Sequence, residues 1–145
     1  MKMYTDGSCN NNEPDPKKRI IRAVVTDENG ICLVDKTLTG GSSNIAELWA
    51  VAEALAFAKS GSIPALDVYT DSRNNLAWIN GRVGKKLNDR ATVWNLIAAI
   101  TNFRECVQLT VSWVPREQNL AGHYIERNGD SGSIEALGEA AESIG

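Results

Sequence analysis

The sequence is poor in the residues on which several kinds of site depend. His123 is its only histidine, which excludes zinc sites that need two, such as the HExxH pair of metalloproteases. The three cysteines, Cys9, Cys32 and Cys106, are odd in number and far apart, so they provide neither a CxxC zinc pair nor a disulfide framework. No apolar run approaches the roughly 20 residues of a membrane-spanning helix. We therefore expect reduced thiols and no membrane partner.

Length and composition fit one globular domain. A chain of 145 residues has room for one ordinary domain of about 100 to 150 residues, which excludes two full domains. Hydrophobic residues make up 43% and charged residues 23%, a balance typical of a folded chain rather than a disordered one. The first residues lack the apolar core of a secretory signal, so we expect a cytoplasmic protein. No feature implies a protein partner, and we expect a monomer.

The acidic residues are concentrated at one end of the chain. The net charge is −3, and five of the 18 acidic residues lie from Glu126 onward, where Arg127 is the only base. We therefore divide the chain into a domain at 1–128 and an acidic tail at 129–145. The stretch 73–90 is basic by contrast, and its lysines are either candidate phosphate contacts or solvated surface charge.

Hydropathy patterns and turn residues predict a mixed α/β domain. The predicted strands are 2–9, 20–26, 31–36, 65–70 and 107–114. The predicted helices are 44–60, 72–80, 92–105 and 120–127, and 37–43 is predicted as a loop. An Asn-Gly turn joins the second and third strands, so the first three strands are antiparallel, whereas strands joined through helices are parallel. This order predicts a five-stranded mixed sheet with helices on its faces.

The tripeptide Tyr-Thr-Asp occurs twice, each time at the carboxyl end of a predicted strand. The two copies end at Asp6 and Asp71. Ligands of open α/β sheets bind outside the carboxyl ends of the strands, so these two carboxylates can converge on one point. Either Asp alone is also typical of a turn at the end of a strand. Two converging carboxylates repel each other and need a cation.

Glu47 adds a third acid from the strongest predicted helix. It heads a stripe that is otherwise apolar and that we expect to face the sheet, where an unpaired carboxylate is costly. The alternative is a capping box, because Asn44 followed by Glu47 has the required spacing. If all three acids converge, their oxygen-only ligand set suits Mg²⁺ or Mn²⁺.

Four motifs in this order resemble the ribonuclease H family, type 1. They are TDGSC at 5–9, NIAEL at 44–48, TDS at 70–72 and WVPREQN at 113–119. The resemblance covers about residues 1–128. It implies a five-stranded mixed sheet flanked by helices and metal-dependent hydrolysis of the RNA strand of RNA/DNA hybrids, giving 5′-phosphate and 3′-hydroxyl ends.

The resemblance also implies the catalytic and metal-binding residues. Three positions match the first three members of a four-carboxylate site that holds two Mg²⁺ or Mn²⁺ ions, namely Asp6, Glu47 and Asp71. The fourth position is His123, which is implied as a catalytic and metal-binding group but removes one negative charge. Glu126 and Asp130 are possible substitutes for the missing acid.

Further positions are expected to contact the hybrid. They are Asn12, Ser42, Ser43, Asn44, Ser72, Arg73, Lys85, Lys86 and Asn119. Selection of RNA over DNA would come from the 2′-hydroxyl and the shape of the minor groove, so weak sequence preference is expected.

The chain departs at several positions from the pattern of the family that it resembles. The catalytic-loop histidine is missing, and 81–91 is too short for the long basic protrusion of some relatives. Arg22 stands on the second strand where relatives usually carry Gly. The four tryptophans could form a base-stacking platform, but their positions on predicted helices and a strand favour core packing for at least three.

Two other functions remain open from the sequence. The first is a hybrid-binding protein of the same fold with weak or no catalysis, because the fourth acid is absent. The second is a DNA-directed nuclease such as a junction resolvase, which also uses clustered acids.

Overall fold

The computed structural model describes residues 1–10 and 12–129, which form one five-stranded sheet with helices on both faces. The strands are β1 (Lys2–Cys9), β2 (Ile20–Asp27), β3 (Cys32–Thr39), β4 (Ala65–Thr70) and β5 (Gln108–Trp113). The helices are α1 (Ser43–Ser60), α2 (Arg73–Ile79), α3 (Arg90–Phe103) and α4 (Leu120–Arg127), with a 3₁₀ turn at Arg116–Gln118. The predicted α/β class is confirmed. Of the predicted acidic tail, only Gly129 lies within the described residues.

The strand order places the ends of two central strands side by side. The order is β3-β2-β1-β4-β5, with β1 antiparallel to β2 and parallel to β4. Tyr4 pairs with Tyr69 in the parallel ladder. Asp6 and Asp71 each follow that pair by two residues, so the two carboxylates lie at the same edge of the sheet.

Strand β3 is longer than the sequence indicated. Residues 37–39 were predicted as loop, but they continue the antiparallel ladder, in which Thr39 pairs with Ile20 and Thr37 with Arg22. Their side chains are exposed, so hydrophobic alternation does not mark them. Backbone hydrogen bonds to β2, rather than burial of side chains, extend this edge strand.

The main core lies between the sheet and three helices. Helix α1 packs between the sheet and α3 and is buried on most of its sides. The largest buried side chains of this core are Met3, Leu48, Leu55, Leu66 and Ile100. Helix α4 covers part of the opposite face, over Val24. Within the described residues, no helix combines the length and apolar character that crossing a membrane requires.

Candidate active site

Three carboxylates from three elements converge at the edge of the sheet. Asp6 lies on β1, Glu47 on α1, and Asp71 directly after β4. One oxygen of each lies within 4.8 Å of an oxygen of each of the others. The structure therefore brings together the three acids that the sequence singled out, and we call them the carboxylate cluster.

Close packing of α1 on β1 brings Glu47 to the cluster. A Cβ atom at Gly7 would overlap the backbone of Ala46 and Glu47, so only glycine allows this approach. The helix is capped by Ser42, whose Oγ accepts a hydrogen bond from the Ile45 amide at 3.3 Å. The alternative capping box headed by Asn44 is not formed. Glu47 is therefore left to face the cluster.

The carboxylate cluster carries unusual electrostatics. Burial, followed by repulsion from the nearby Asp71, raises the pKa of Asp6 from 3.8 to about 7. Burial, followed by repulsion from Asp6 and Asp71, raises the pKa of Glu47 from 4.5 to about 8. Arg116 opposes both shifts. Three carboxylates this close together repel one another, and a bound cation would relieve the repulsion. Their oxygen-only donors fit Mg²⁺ or Mn²⁺.

Asn119 positions one member of the cluster. Its side chain is fully buried, and its amide donates to Asp71 Oδ2 at 3.1 Å and to the Thr5 carbonyl at 3.0 Å. Its Oδ1 accepts from the Ala121 amide at 3.1 Å and so caps α4. The predicted hybrid contact of Asn119 does not fit this burial, because a buried amide with three internal bonds offers nothing to a ligand.

The fourth position is not part of the carboxylate cluster. Helix α4 approaches Asp6 closely, since a Cβ atom at Gly122 would lie 3.1 Å from Asp6 Oδ2. His123 is half-buried on this helix, but within residues 1–10 and 12–129 the ligand group contains only the three acids. Glu126 is exposed, and its charge contributes to the raised pKa of Asp6. Asp130 lies outside the described residues.

An open cleft of about 360 Å³ adjoins the cluster. It is lined by Asn44, Glu47, Asp71, Ser72, Arg73, Asn74, Trp113 and Arg116. The predicted contacts Asn44, Ser72 and Arg73 therefore lie beside two of the catalytic candidates. Ser72 also caps α2 through the Asn75 amide, at 3.1 Å.

Two residues of this cleft, Trp113 and Arg116, were not among the site residues predicted from the sequence. The Arg73 guanidinium lies 4.2 Å from the centre of the Trp113 ring, and the indole N–H donates to the Asp71 carbonyl at 3.1 Å. The positive charge of Arg116 lowers the pKa of both Asp6 and Glu47 and so partly opposes their upward shifts. Both Trp113 and Arg116 belong to the WVPREQN motif, which was the available signal.

The core-packing expectation for the tryptophans is wrong. Trp78 is buried and Trp49 packs against the main core, but Trp94 is 37% exposed and Trp113 is 39% exposed. Two tryptophans rather than three serve the core. The Trp94 ring lies near the Arg90 guanidinium at the start of α3, and Trp113 is the last residue of the edge strand β5.

The remaining predicted contacts lie outside the carboxylate cleft. Asn12 is exposed in the loop after β1, and Ser43 is the first residue of α1. Ser42 lines a second cleft of about 320 Å³ whose other lining residues include Lys17 and Arg19. Lys85 and Lys86 are exposed between α2 and α3.

Solved structures share this fold. Ribonuclease H1 of the halophilic archaeon Halobacterium salinarum NRC-1 is 18% identical over 85% of this chain and 91% of its own, with a TM-score of 0.64. The N-terminal RNase H domain of Rv2228c from Mycobacterium tuberculosis is 20% identical over 99% of both chains, with a TM-score of 0.62. LC11-RNase H1 from compost, solved in complex with an RNA/DNA hybrid, is 26% identical over 81% and 87%, with a TM-score of 0.58.

A family model matches most of the sequence. It is described as reverse transcriptase-like and covers residues 4–126, which include every member of the carboxylate cluster. No curated protein sequence matches the chain. Together with the shared fold, the match shows that this chain belongs to the ribonuclease H family.

Proposed function

We propose that this protein is a metal-dependent endonuclease that hydrolyses the RNA strand of RNA/DNA hybrids. The observation that carries the proposal is the convergence of Asp6, Glu47 and Asp71 within 4.8 Å at the end of two central strands. LC11-RNase H1, which shares the fold at 26% identity, was solved with such a hybrid, and this supports the substrate.

The chain's own residues would position the reaction. The carboxylate cluster would hold two Mg²⁺ or Mn²⁺ ions, which when bound activate the attacking water and stabilise the leaving ribose oxygen. Asn119 fixes the orientation of Asp71, and Arg116 adds positive charge beside the acids, where the phosphate of the substrate would lie. Cleavage between phosphorus and the leaving ribose oxygen gives 5′-phosphate and 3′-hydroxyl ends.

The cleft would supply recognition of the hybrid. Asn44, Ser72 and Arg73 present polar and charged groups beside the carboxylates, which suits contacts to the minor groove and the RNA 2′-hydroxyl. The other predicted positions would add contacts to the backbone, namely the half-buried Ser42 and Ser43 and the exposed Asn12, Lys85 and Lys86. We therefore expect selection for RNA over DNA with weak sequence preference.

A gel assay of labelled RNA tests the proposal. The RNA is presented single-stranded, paired with RNA, or paired with DNA, in Mg²⁺, Mn²⁺ or EDTA. We expect cleavage of the hybrid alone, loss of cleavage in EDTA and in Asp71→Asn, and full activity in Asp67→Asn, which alters an exposed acid on β4. An unchanged rate in Asp71→Asn would disprove the proposed site.

His123 provides an observation in favour of a second candidate function. Because it is not part of the ligand group and carries no negative charge, a hybrid-binding protein with weak or no catalysis is the alternative. Hybrid that is bound but not cleaved at any metal concentration would establish it. Cleavage of branched DNA with intact hybrid would instead indicate a DNA-directed nuclease.

The fourth group of the site needs its own comparison. His123 lies outside the three-acid group but stands on α4 at the position of the family's fourth carboxylate. We propose that His123 is the group that completes the site. His123→Ala is then expected to lower the rate and raise the metal requirement. If it changes neither, and Glu126→Gln changes both, the role belongs to Glu126.

A further inference from the structure

Arg22 is a charged side chain in a buried position. It lies on β2, on the sheet face that α4 covers, and has no exposed surface. Its Nε donates to Asp35 Oδ1 at 2.9 Å and its Nη2 to Asp35 Oδ2 at 2.8 Å, so the pair is bidentate. A buried guanidinium is costly unless such bonds satisfy it.

The third donor of Arg22 reaches the end of α4. Its Nη1 donates to the carbonyl of Gly129, two residues beyond the helix. Its Cζ lies 5.9 Å from the centre of the Tyr124 ring on the same helix. One side chain thus connects β2, β3 and the carboxyl-terminal end of α4.

Helix α4 rests on a small apolar cluster and on polar contacts at its two ends. It is eight residues long, and a helix of that length is not stable by itself. Among the described residues, the buried members of its apolar cluster are Val24, Ala121 and Ile125, and Tyr4, Cys32 and Tyr124 are partly buried against them. Its first turn is fixed by the buried amide of Asn119. The two ends of α4 are therefore held by polar contacts from Asn119 and Arg22.

We propose that Arg22 and Asp35 form a clamp that holds α4 against the sheet and so fixes this helix relative to the carboxylate cluster. The link to the site is direct, because the backbone of α4 at Gly122 packs against Asp6. Arg22 is a positioning residue: it acts through α4 and touches no reacting atom. Its effects on cleavage and on Mn²⁺ binding rest on the proposed function, but its effect on α4 does not.

The test compares two substitutions that each remove one ion pair from the sheet. Arg22→Met breaks the clamp, whereas Lys36→Met breaks the pair that Lys36 forms with Glu53 at 3.1 Å, remote from α4. Hydrogen exchange of the α4 amides and Mn²⁺ binding without substrate are measured, with kcat and KM for hybrid alongside. Asp35→Asn is a milder second variant that keeps the shape of the side chain.

In Arg22→Met we expect the α4 amides to exchange about tenfold faster while the amides of β1 and β4 stay protected. Mn²⁺ affinity is expected to fall about tenfold and kcat with it, whereas KM for hybrid changes little. Lys36→Met should alter none of these quantities, and Asp35→Asn should shift them in the same direction as Arg22→Met.

Other outcomes would overturn the clamp. If Arg22→Met lowers global stability but leaves α4 protection and Mn²⁺ affinity unchanged, Arg22 has only a structural role. The same conclusion follows if Arg22→Met does not fold and Asp35→Asn binds Mn²⁺ like the parent. A parent protein that cleaves nothing would contradict the proposed function alone, because hydrogen exchange of the α4 amides still reports on the clamp.

Discussion

At the scale of single residues, Asn119 shows how a buried amide can organise a site. Its three hydrogen bonds join the backbone of β1 at Thr5, the carboxylate of Asp71 and the first turn of α4. A free Asp71 carboxylate would be able to rotate away from the cluster. The residue therefore contributes both to stability and to the arrangement of the acids.

We predict that Asn119→Ala lowers the free energy of unfolding by about 1–3 kcal/mol, because it leaves buried partners unsatisfied. The rate of hybrid cleavage should fall more than this loss of stability explains, since Asp71 is no longer held. Urea denaturation and single-turnover cleavage at a temperature where the variant is folded measure the two effects.

Asn128→Ala is the matched control for that prediction. Its amide donates to the Tyr124 carbonyl at 3.0 Å at the other, exposed end of α4. We expect little change in either quantity. Equal cleavage rates in Asn119→Ala and Asn128→Ala would show that Asp71 does not depend on the buried amide.

At the scale of elements, the contact between α1 and β1 decides whether Glu47 reaches the site. The sequence showed an apolar helix headed by an acid but left two roles open for that acid. The structure settles the matter through Gly7, which lets the helix backbone touch the strand, and through Ser42, which caps the helix in place of Asn44.

Gly7→Ala is expected to destabilise the protein by about 1–3 kcal/mol, because the added methyl group forces α1 away from β1. Cleavage should fall as Glu47 moves from the cluster. Gly84→Ala is the control, since a Cβ atom there meets nothing within 4 Å. Thermal unfolding of both variants measures the difference, and equal melting temperatures would contradict the close approach.

The cap of α1 gives a second prediction about this element. Ser42→Ala should cost about 1 kcal/mol of unfolding free energy, because the Ile45 amide loses its acceptor. Asn44→Ala should cost much less, since its side chain does not cap the helix, although it should weaken hybrid binding. A larger loss of stability in Asn44→Ala than in Ser42→Ala would indicate that the capping box of Asn44 and Glu47 caps the helix instead.

At the scale of the whole molecule, the raised pKa values of the carboxylate cluster couple stability to pH. In the metal-free protein the pKa of Asp6 is raised to about 7 and that of Glu47 to about 8. Between about pH 4 and pH 8 the folded state therefore keeps protons that the unfolded chain has released. These two groups make the free energy of unfolding fall as pH rises through that window.

We predict that Mn²⁺ raises the melting temperature strongly at pH 8.5 and little at pH 5, because the metal binds the deprotonated carboxylates. In EDTA, the stability of the parent relative to Asp6→Asn should decrease as pH rises from about 5 to about 8. Melting curves at several pH values, with and without Mn²⁺, measure both effects. A gain from Mn²⁺ that is independent of pH would contradict the shifted pKa values.

The sequence by itself determined the fold class, the family and the identity of the three acids. Strand and helix patterns are local, and a parallel pair of strands brings their carboxyl ends together wherever they stand in the chain. Tertiary structure decided the rest, because burial and partners depend on residues far apart in sequence. It buried Asn119 against Asp71, exposed Trp113 beside Arg73, extended β3 along its neighbour, and enclosed Arg22 beneath α4. Each of these depends on contacts between elements, for which no single stretch of sequence carries a pattern.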